Sequence, residues 1–142
     1  MADFKYGEFL SQFDCQIDSL DKRETIAYRY VHSDISDCNN FLPPAIQQPQ
    51  RLFKNKCSSY ALSFFENKEG ALKRYKRLVK NSENVSKLLG ENLAEGNIID
   101  KHGVCTENNN FSHFDLFEFS DSPNFCDSFS IILINIQSYE EL

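Results

Sequence analysis

Glu118 is the residue whose position most invites chemistry. In His113-Phe114-Asp115-Leu116-Phe117-Glu118-Phe119 a period of two puts Glu118 on the same face as Phe114 and Leu116. A carboxylate on an apolar face is costly unless it is paired or used. In use, it is a catalytic acid, a base or a stabiliser of a cation. Otherwise it is a strand-end side chain turning into solvent. Arg29 raises the same question in Thr25-Ile26-Ala27-Tyr28-Arg29-Tyr30-Val31, where it shares a face with Ala27 and Val31. Its planar fork fits a phosphate or carboxylate in a cleft. Structurally, it would instead pair with Glu118 or lay its stem over a sheet edge. His113 and Asp115 are two apart and also share a face, an arrangement that orients an imidazole. With Cys57 they would make a thiol nucleophile and base, but nothing places Cys57 beside that strand.

Other chemistries lack their residues. Ser58, Ser59 and Ser63 flank a Tyr60–Phe65 run without the glycine-flanked elbow a serine nucleophile wants. The five glycines are scattered, so there is no phosphate-cradling loop and no dinucleotide fingerprint. Cys15, Cys38, Cys57, Cys105 and Cys126 contain no Cys-x-x-Cys pair, and His32, His102 and His113 have no close ligand partner, so no metal site is expected. The odd count and wide spacing predict five reduced thiols in a cytoplasmic protein, most of them core fillers.

The elements that must position these residues are legible in part. Tyr6, Phe9, Leu10 and Phe13 fall at helical spacing over residues 3–13, with Asp3 as cap and Gly7 as a weak point. Thr25 to Val31 is a strand. Residues 33–50, with Pro43, Pro44 and Pro49, form a long irregular segment anchored by Phe41 and Leu42. Tyr60–Phe65 fits either element by period, and reads as a strand because Asn67 follows as a helix cap. Residues 68–80 give the clearest helix, with Ala71, Leu72, Tyr75, Leu78 and Val79 on one face. A second helix is expected over 83–95, capped by Ser82, carrying Glu83, Glu91 and Glu95, and ended by Gly96. Beyond it, Asp100-Lys101-His102-Gly103 reads as a turn with glycine at positive φ. Strands follow over 111–119 and 129–136, the latter apolar enough to predict burial on both faces. The sum is an α+β class: one domain over 1–142, a mainly antiparallel sheet packed against about three helices.

Thirteen Phe and six Tyr, with no Trp, point to a phenylalanine core. No stretch reaches the roughly 18 to 20 apolar residues of a membrane span. Met1-Ala2-Asp3-Phe4-Lys5 has no basic region leading into an apolar stretch, so no secretory signal is expected. The net charge of −6 is uneven: net −4 over 1–50, +7 over 51–80 and −9 over 81–142. The basic island suits an acidic partner, or it faces the acidic segments of its own fold. The acidic total disfavours general nucleic-acid binding. RNA capture by the basic helix, with Tyr60 or Tyr75 as stacking platforms, is the weaker variant.

Arg29 in Tyr-Arg-Tyr, Ser63 in Ala-Leu-Ser-Phe-Phe ahead of a helix, and Glu118 on a later strand follow an order that resembles ADP-ribosyltransferase-like folds. The resemblance covers roughly residues 25 to 119. It implies that Arg29 and Ser63 hold NAD and that Glu118 stabilises the sugar cation as nicotinamide leaves. The chain departs from the family in carrying Leu116-Phe117-Glu118 where Glu-x-Glu or Gln-x-Glu is usual, and in lacking a serine–threonine–serine triplet. Two functions are therefore expected. The first is a binding or accessory domain, free of any cofactor, that meets a protein partner through Lys73, Lys76, Arg77 and Lys80. The alternative is an NAD-consuming enzyme using Arg29, Ser63 and Glu118.

Overall fold

The computed structural model describes residues 3–53, 56–82 and 84–138. Six strands, β1 (Thr25–Val31), β2 (Leu62–Phe65), β3 (Asn92–Ile98), β4 (Gly103–Cys105), β5 (His113–Glu118) and β6 (Ser130–Leu133), make one sheet in the order β4-β5-β2-β1-β3-β6. Every pairing is antiparallel. Four α-helices lie among the described residues: α1 (Gly7–Gln12), α2 (Pro44–Gln47), α3 (Lys68–Asn81) and α4 (Val85–Leu89). The α+β class is the expected one.

Local chemistry explains the firm elements. The β-branched and aromatic residues of β1 pair along their whole length with β3, from Thr25 opposite Ile98 to Val31 opposite Asn92. Asn67 caps α3, its Oδ1 accepting from the Gly70 N–H at 2.7 Å. Ala71, Leu72 and Tyr75 are fully buried on the inner face of α3.

The expected helix over 83–95 is corrected. Only Val85–Leu89 is helical, and 92–98 is the strand β3 at the heart of the sheet. Gly90, at φ 91° and ψ 168°, ends α4 in a conformation open almost only to glycine. Gly96 does not end a helix. It lies mid-strand under Phe129, whose ring would be 2.3 Å from an added Cβ. Leu88 and Leu89, apolar residues of this segment, are exposed. Glu83 lies outside the described residues, as do Met1 and Ala2.

Several smaller expectations also change. Asp3 does not cap α1, which begins after Tyr6 with no side-chain cap. Gly103 is not a positive-φ turn residue. It sits in β4, where a Cβ would meet the Phe117 carbonyl at 2.1 Å. The last strand is an edge strand, with Ile132 and Ile134 exposed rather than buried on both faces.

Alternation along the strands sorts the core into two faces. The first carries Ala27, Val31, Leu62, Phe64, Ala94, Phe114 and Leu116. Phe41, Phe125 and Phe129 cover it from the connecting segments. The second face is covered by two separate clusters. One gathers Phe65, Leu93 and the α3 residues Leu72 and Tyr75, and the other gathers Ala61 and Phe117 with Leu10 and Ile17.

The expectation of five free thiols is overturned. Cys15 bonds Cys57 and Cys38 bonds Cys126, leaving Cys105 free and buried. Wide sequence spacing hid these pairs, because sequence separations of 42 and 88 close only in the fold. Cys38–Cys126 ties the irregular 33–50 segment to the turn Phe125–Asp127 over the first face. No described helix is long and apolar enough to cross a membrane.

Candidate functional site

The sheet has one weak seam. β1 and β2 share a single residue pair, Tyr28 opposite Phe65, and part beyond it. The Arg29 guanidinium lies in that parting. Its Nη1 donates to the Ser63 carbonyl at 2.8 Å, its Nε to the Asn40 carbonyl at 2.9 Å, and its Nη2 faces the Leu42 carbonyl at 3.5 Å. The rings of Phe41 and Phe64 stand 5.6 Å from its guanidinium carbon. Burial pushes the Arg29 pKa down to about 10, opposed by the charge of Glu118, so it remains a cation at neutral pH. Arg29 is therefore partly structural, stitching β1 to β2 and to the 38–42 turn. Three of its five N–H donors serve these carbonyls.

Asn40 completes the stitch. Its Oδ1 accepts from the His32 N–H at 2.7 Å, and its Nδ2 donates to the Asp34 carbonyl at 2.8 Å. The parting opens as a small notch of about 50 Å³, lined by Arg29, Tyr30, His32, Asn40, Gln47, Ser63 and Phe65 among others. The Arg29 guanidinium thus meets the Ser63 backbone carbonyl in the parting, while by alternation the two side chains leave the sheet on opposite faces, Arg29 with Ala27 and Val31 and Ser63 opposite Asp115.

Glu118 does not join them there. It shares a face with Phe114 and Leu116, as the alternation predicts, and is buried. Its Oε2 accepts from Lys5 Nζ at 3.0 Å. The Lys5 amide also donates to the Glu118 carbonyl at 3.0 Å. The structural pairing expected with Arg29 is thus made by Lys5, which the sequence reading passed over. The nearest signal was local: Phe4 and Lys5 alternate like a strand, and Phe4 does bridge Phe119.

The carboxylate beside Ser63 is Asp115. The two residues are directly opposite across β2 and β5, their side chains on one face of the sheet. His113 Nε2 lies 3.6 Å from Asp115 Oδ1, and its ring stands edge-on to Phe65. Burial raises the Asp115 pKa, while His113 and Ser63 act to lower it. Burial also lowers the His113 pKa, opposed by Asp115 and reinforced by Arg74. The expected sharing of a face by His113 and Asp115 holds. Cys57 is not their nucleophile, being bonded to Cys15.

The basic face of α3 is open. Lys73, Lys76, Arg77 and Lys80 are all exposed. Arg74 and Arg77 flank the Phe111 ring, each 5.6 Å from its centroid. Ion pairs among the described residues include Lys5–Glu118, Arg23–Glu66 and His113–Asp115. Tyr75 is buried and Tyr60 stacks on Phe9 at 4.8 Å, so neither is a free platform for a base. His102 is structural. Its ring stacks on Phe125 at 4.2 Å, its Nδ1 accepts from the Ile99 N–H, and burial pushes its pKa down to about 4. No described group of His, Cys, Asp and Glu side chains has the geometry to hold a metal ion.

Compared with protein-family models, with curated proteins and with solved structures, the chain matched none of the three.

Proposed function

We propose that this chain is an NAD-consuming enzyme of the ADP-ribosyltransferase kind, working where β1 and β2 part. The observation that carries the reading is the Arg29 guanidinium lying in that parting with its Nη1 on the Ser63 carbonyl. Arg29 on β1, Ser63 on β2 ahead of α3, and Glu118 on β5 keep the order on which the resemblance rests.

The two N–H groups that Arg29 does not spend on carbonyls suit a diphosphate, whose oxygens match the guanidinium fork. Ser63 would hold the nicotinamide ribose. A notch of about 50 Å³ is too small for a dinucleotide, since ligand sites run to several hundred Å³. Gln47 of α2 and Leu88 and Leu89 of α4 line the notch, so a dinucleotide would have to displace them to enter. The two disulfides favour an oxidising compartment over the cytoplasm.

The test is chemical. The intact, oxidised protein is incubated with NAD, and free nicotinamide is measured with and without added acceptor proteins. Release above a heat-inactivated control supports the reading. Neither release nor NAD binding would end it.

A second reading has its own observation: Lys73, Lys76, Arg77 and Lys80 stand exposed along one face of α3. That face would take an acidic protein partner. Capture that weakens with salt and is lost on reversing Lys73 and Arg77 to Glu supports it. Capture that ignores both removes it.

A further inference from the structure

We infer that this chain carries N-linked glycans on Asn110 and Asn84. The inference is independent of the NAD reading and concerns a different part of the surface.

It begins in the sequence. Of thirteen asparagines, two head the triplet of asparagine, any residue but proline, then serine or threonine. They are Asn110-Phe111-Ser112 and Asn84-Val85-Ser86. The triplet marks an acceptor for a sugar on the asparagine amide in a secreted chain. Cys15–Cys57 and Cys38–Cys126 are bonds of the kind that form and persist in the same oxidising compartments. A triplet alone is not enough. Its asparagine must also reach the surface and be unneeded by the fold.

Both positions meet that condition. Asn110 is exposed in the turn that leads into β5. Its neighbours are exposed too, but the fold uses them. Asn108 Oδ1 accepts from Arg23, and its Nδ2 donates to Glu66. Asn109 Oδ1 accepts from the Phe111 N–H at 2.9 Å and the His113 N–H at 3.1 Å. Among the described residues, the Asn110 side chain has no hydrogen-bond partner. Asn84 is exposed at the N-terminal end of α4, where asparagine is a favoured cap, yet its side chain makes no cap bond. By contrast, Asn40, Asn67 and Asn92 all spend their side chains on backbone groups.

The surface beside Asn110 suits a sugar. A groove of about 330 Å³ lies between the 108–112 loop and the first turns of α3. Asn67, Glu69, Lys73 and Asn110 line it, so its walls offer donors and acceptors to hydroxyl groups. The loop is seated tightly, since the Phe111 carbonyl lies 2.0 Å from where a Cβ on Gly70 would stand. Asn84 follows shortly after the C-terminal end of α3 at Asn81. The two acceptors thus flank the basic helix, and neither lines the Arg29 notch.

The donor is a sugar carried on a pyrophosphate. The asparagine Nδ2 bonds to the sugar C1, and the bond from C1 to the pyrophosphate oxygen breaks. Its electron pair leaves with the phosphate. The amide nitrogen loses one proton and remains a neutral amide. In the finished fold Ser112 has φ 60°, and its Oγ accepts from the Asn67 N–H at 3.1 Å. The triplet is then bent and its hydroxyl engaged, so transfer to Asn110 precedes closure of this turn.

The test isolates the protein from the cells that make it. Intact mass is measured before and after an amidase that cuts glycans from asparagine. In heavy-oxygen water the cut leaves a labelled aspartate, which peptide mapping locates. The expected result is loss of glycan mass, with the label at the positions of Asn110 and Asn84. Bare asparagine at both would overturn the inference, and bare asparagine at one would remove that site. A second arm expresses the full chain behind a secretory leader in glycosylating cells. Asn110→Gln and Asn84→Gln are each expected to lose one glycan step in gel mobility, and the double variant to lose both. After deglycosylation, all three should melt with the wild type, since neither side chain supports the fold. A double variant that still carries glycan mass would contradict the assignment.

Discussion

Asp115 and Glu118 stand three residues apart on one strand, and the protein treats them in opposite ways. Glu118 faces the side of the sheet that Phe41, Phe125 and Phe129 cover, and it is closed in and held by Lys5. Asp115 faces the side where the coverings divide, beside a serine and a histidine, with part of its surface open. Burial alone does not mark a reactive carboxylate. A buried, paired acid holds structure, while one that burial raises in pKa and water still reaches keeps its proton to higher pH than a free carboxylate.

The same contrast runs through the two faces. Cys38–Cys126 ties down the segment over the Glu118 side, and Cys15–Cys57 ties the Leu10–Ile17 covering on the Asp115 side. Reduction should have the largest effect of any simple perturbation. Loop-closure entropy assigns roughly 4 kcal/mol to a crosslink of this span. Melting by calorimetry is expected to fall by about 10–15 °C for each bond lost, through Cys15→Ser/Cys57→Ser or Cys38→Ser/Cys126→Ser. A reduced protein that melts unchanged would show that neither bond carries load.

Next in size is the split between the two carboxylates. Lys5→Met strands the Glu118 charge in a buried place and is expected to cost about 1–3 kcal/mol, less than a fully buried pair because Lys5 is partly exposed. Asp115→Asn should cost under about 1 kcal/mol, since the side chain is partly exposed and water reaches it. Urea unfolding of both variants checks the order. A reversal would make Asp115 the structural acid.

A smaller effect separates the Glu118 side by pH. His102 lies there against Phe125, with a folded pKa pushed down to about 4 from an ordinary value near 6.5. A depressed pKa stabilises the fold above the unfolded value. That contribution is lost as pH falls from about 6.5 through about 4. His102→Gln should flatten this part of the acid limb in a stability–pH series. An equally steep fall in the variant would place acid sensitivity elsewhere. Least affected of all should be stability in Lys73→Glu/Arg77→Glu, within about 0.5 kcal/mol, since both side chains are exposed.

How far this was legible in the sequence follows from which forces are local. β1 and α3 were readable because period, propensity and the Asn67 cap all agree. β3 was not, since Asn92-Leu93-Ala94-Glu95 carries helix-forming residues and its small side chains are explained only by Phe129 lying across Gly96. Gly90 was the available signal, a residue that ends α4 before the strand begins. The facing of Glu118, and of His113 with Asp115, came directly from alternation. What alternation cannot supply is which strand lies alongside. Ser63 and Asp115 are 52 positions apart in the sequence, and only the register of β2 on β5 makes them neighbours. The disulfides were hidden for the same reason.

The most direct test is to map where NAD touches the chain. Uniformly ¹⁵N-labelled, oxidised protein is titrated with NAD, and backbone amide shifts are followed. The account predicts saturable changes at Tyr30, His32, Asn40 and Ser63, with Gly103 and Glu118 little moved. Changes centred on Lys5, Gly103 and Glu118, or no saturable change anywhere, would contradict it.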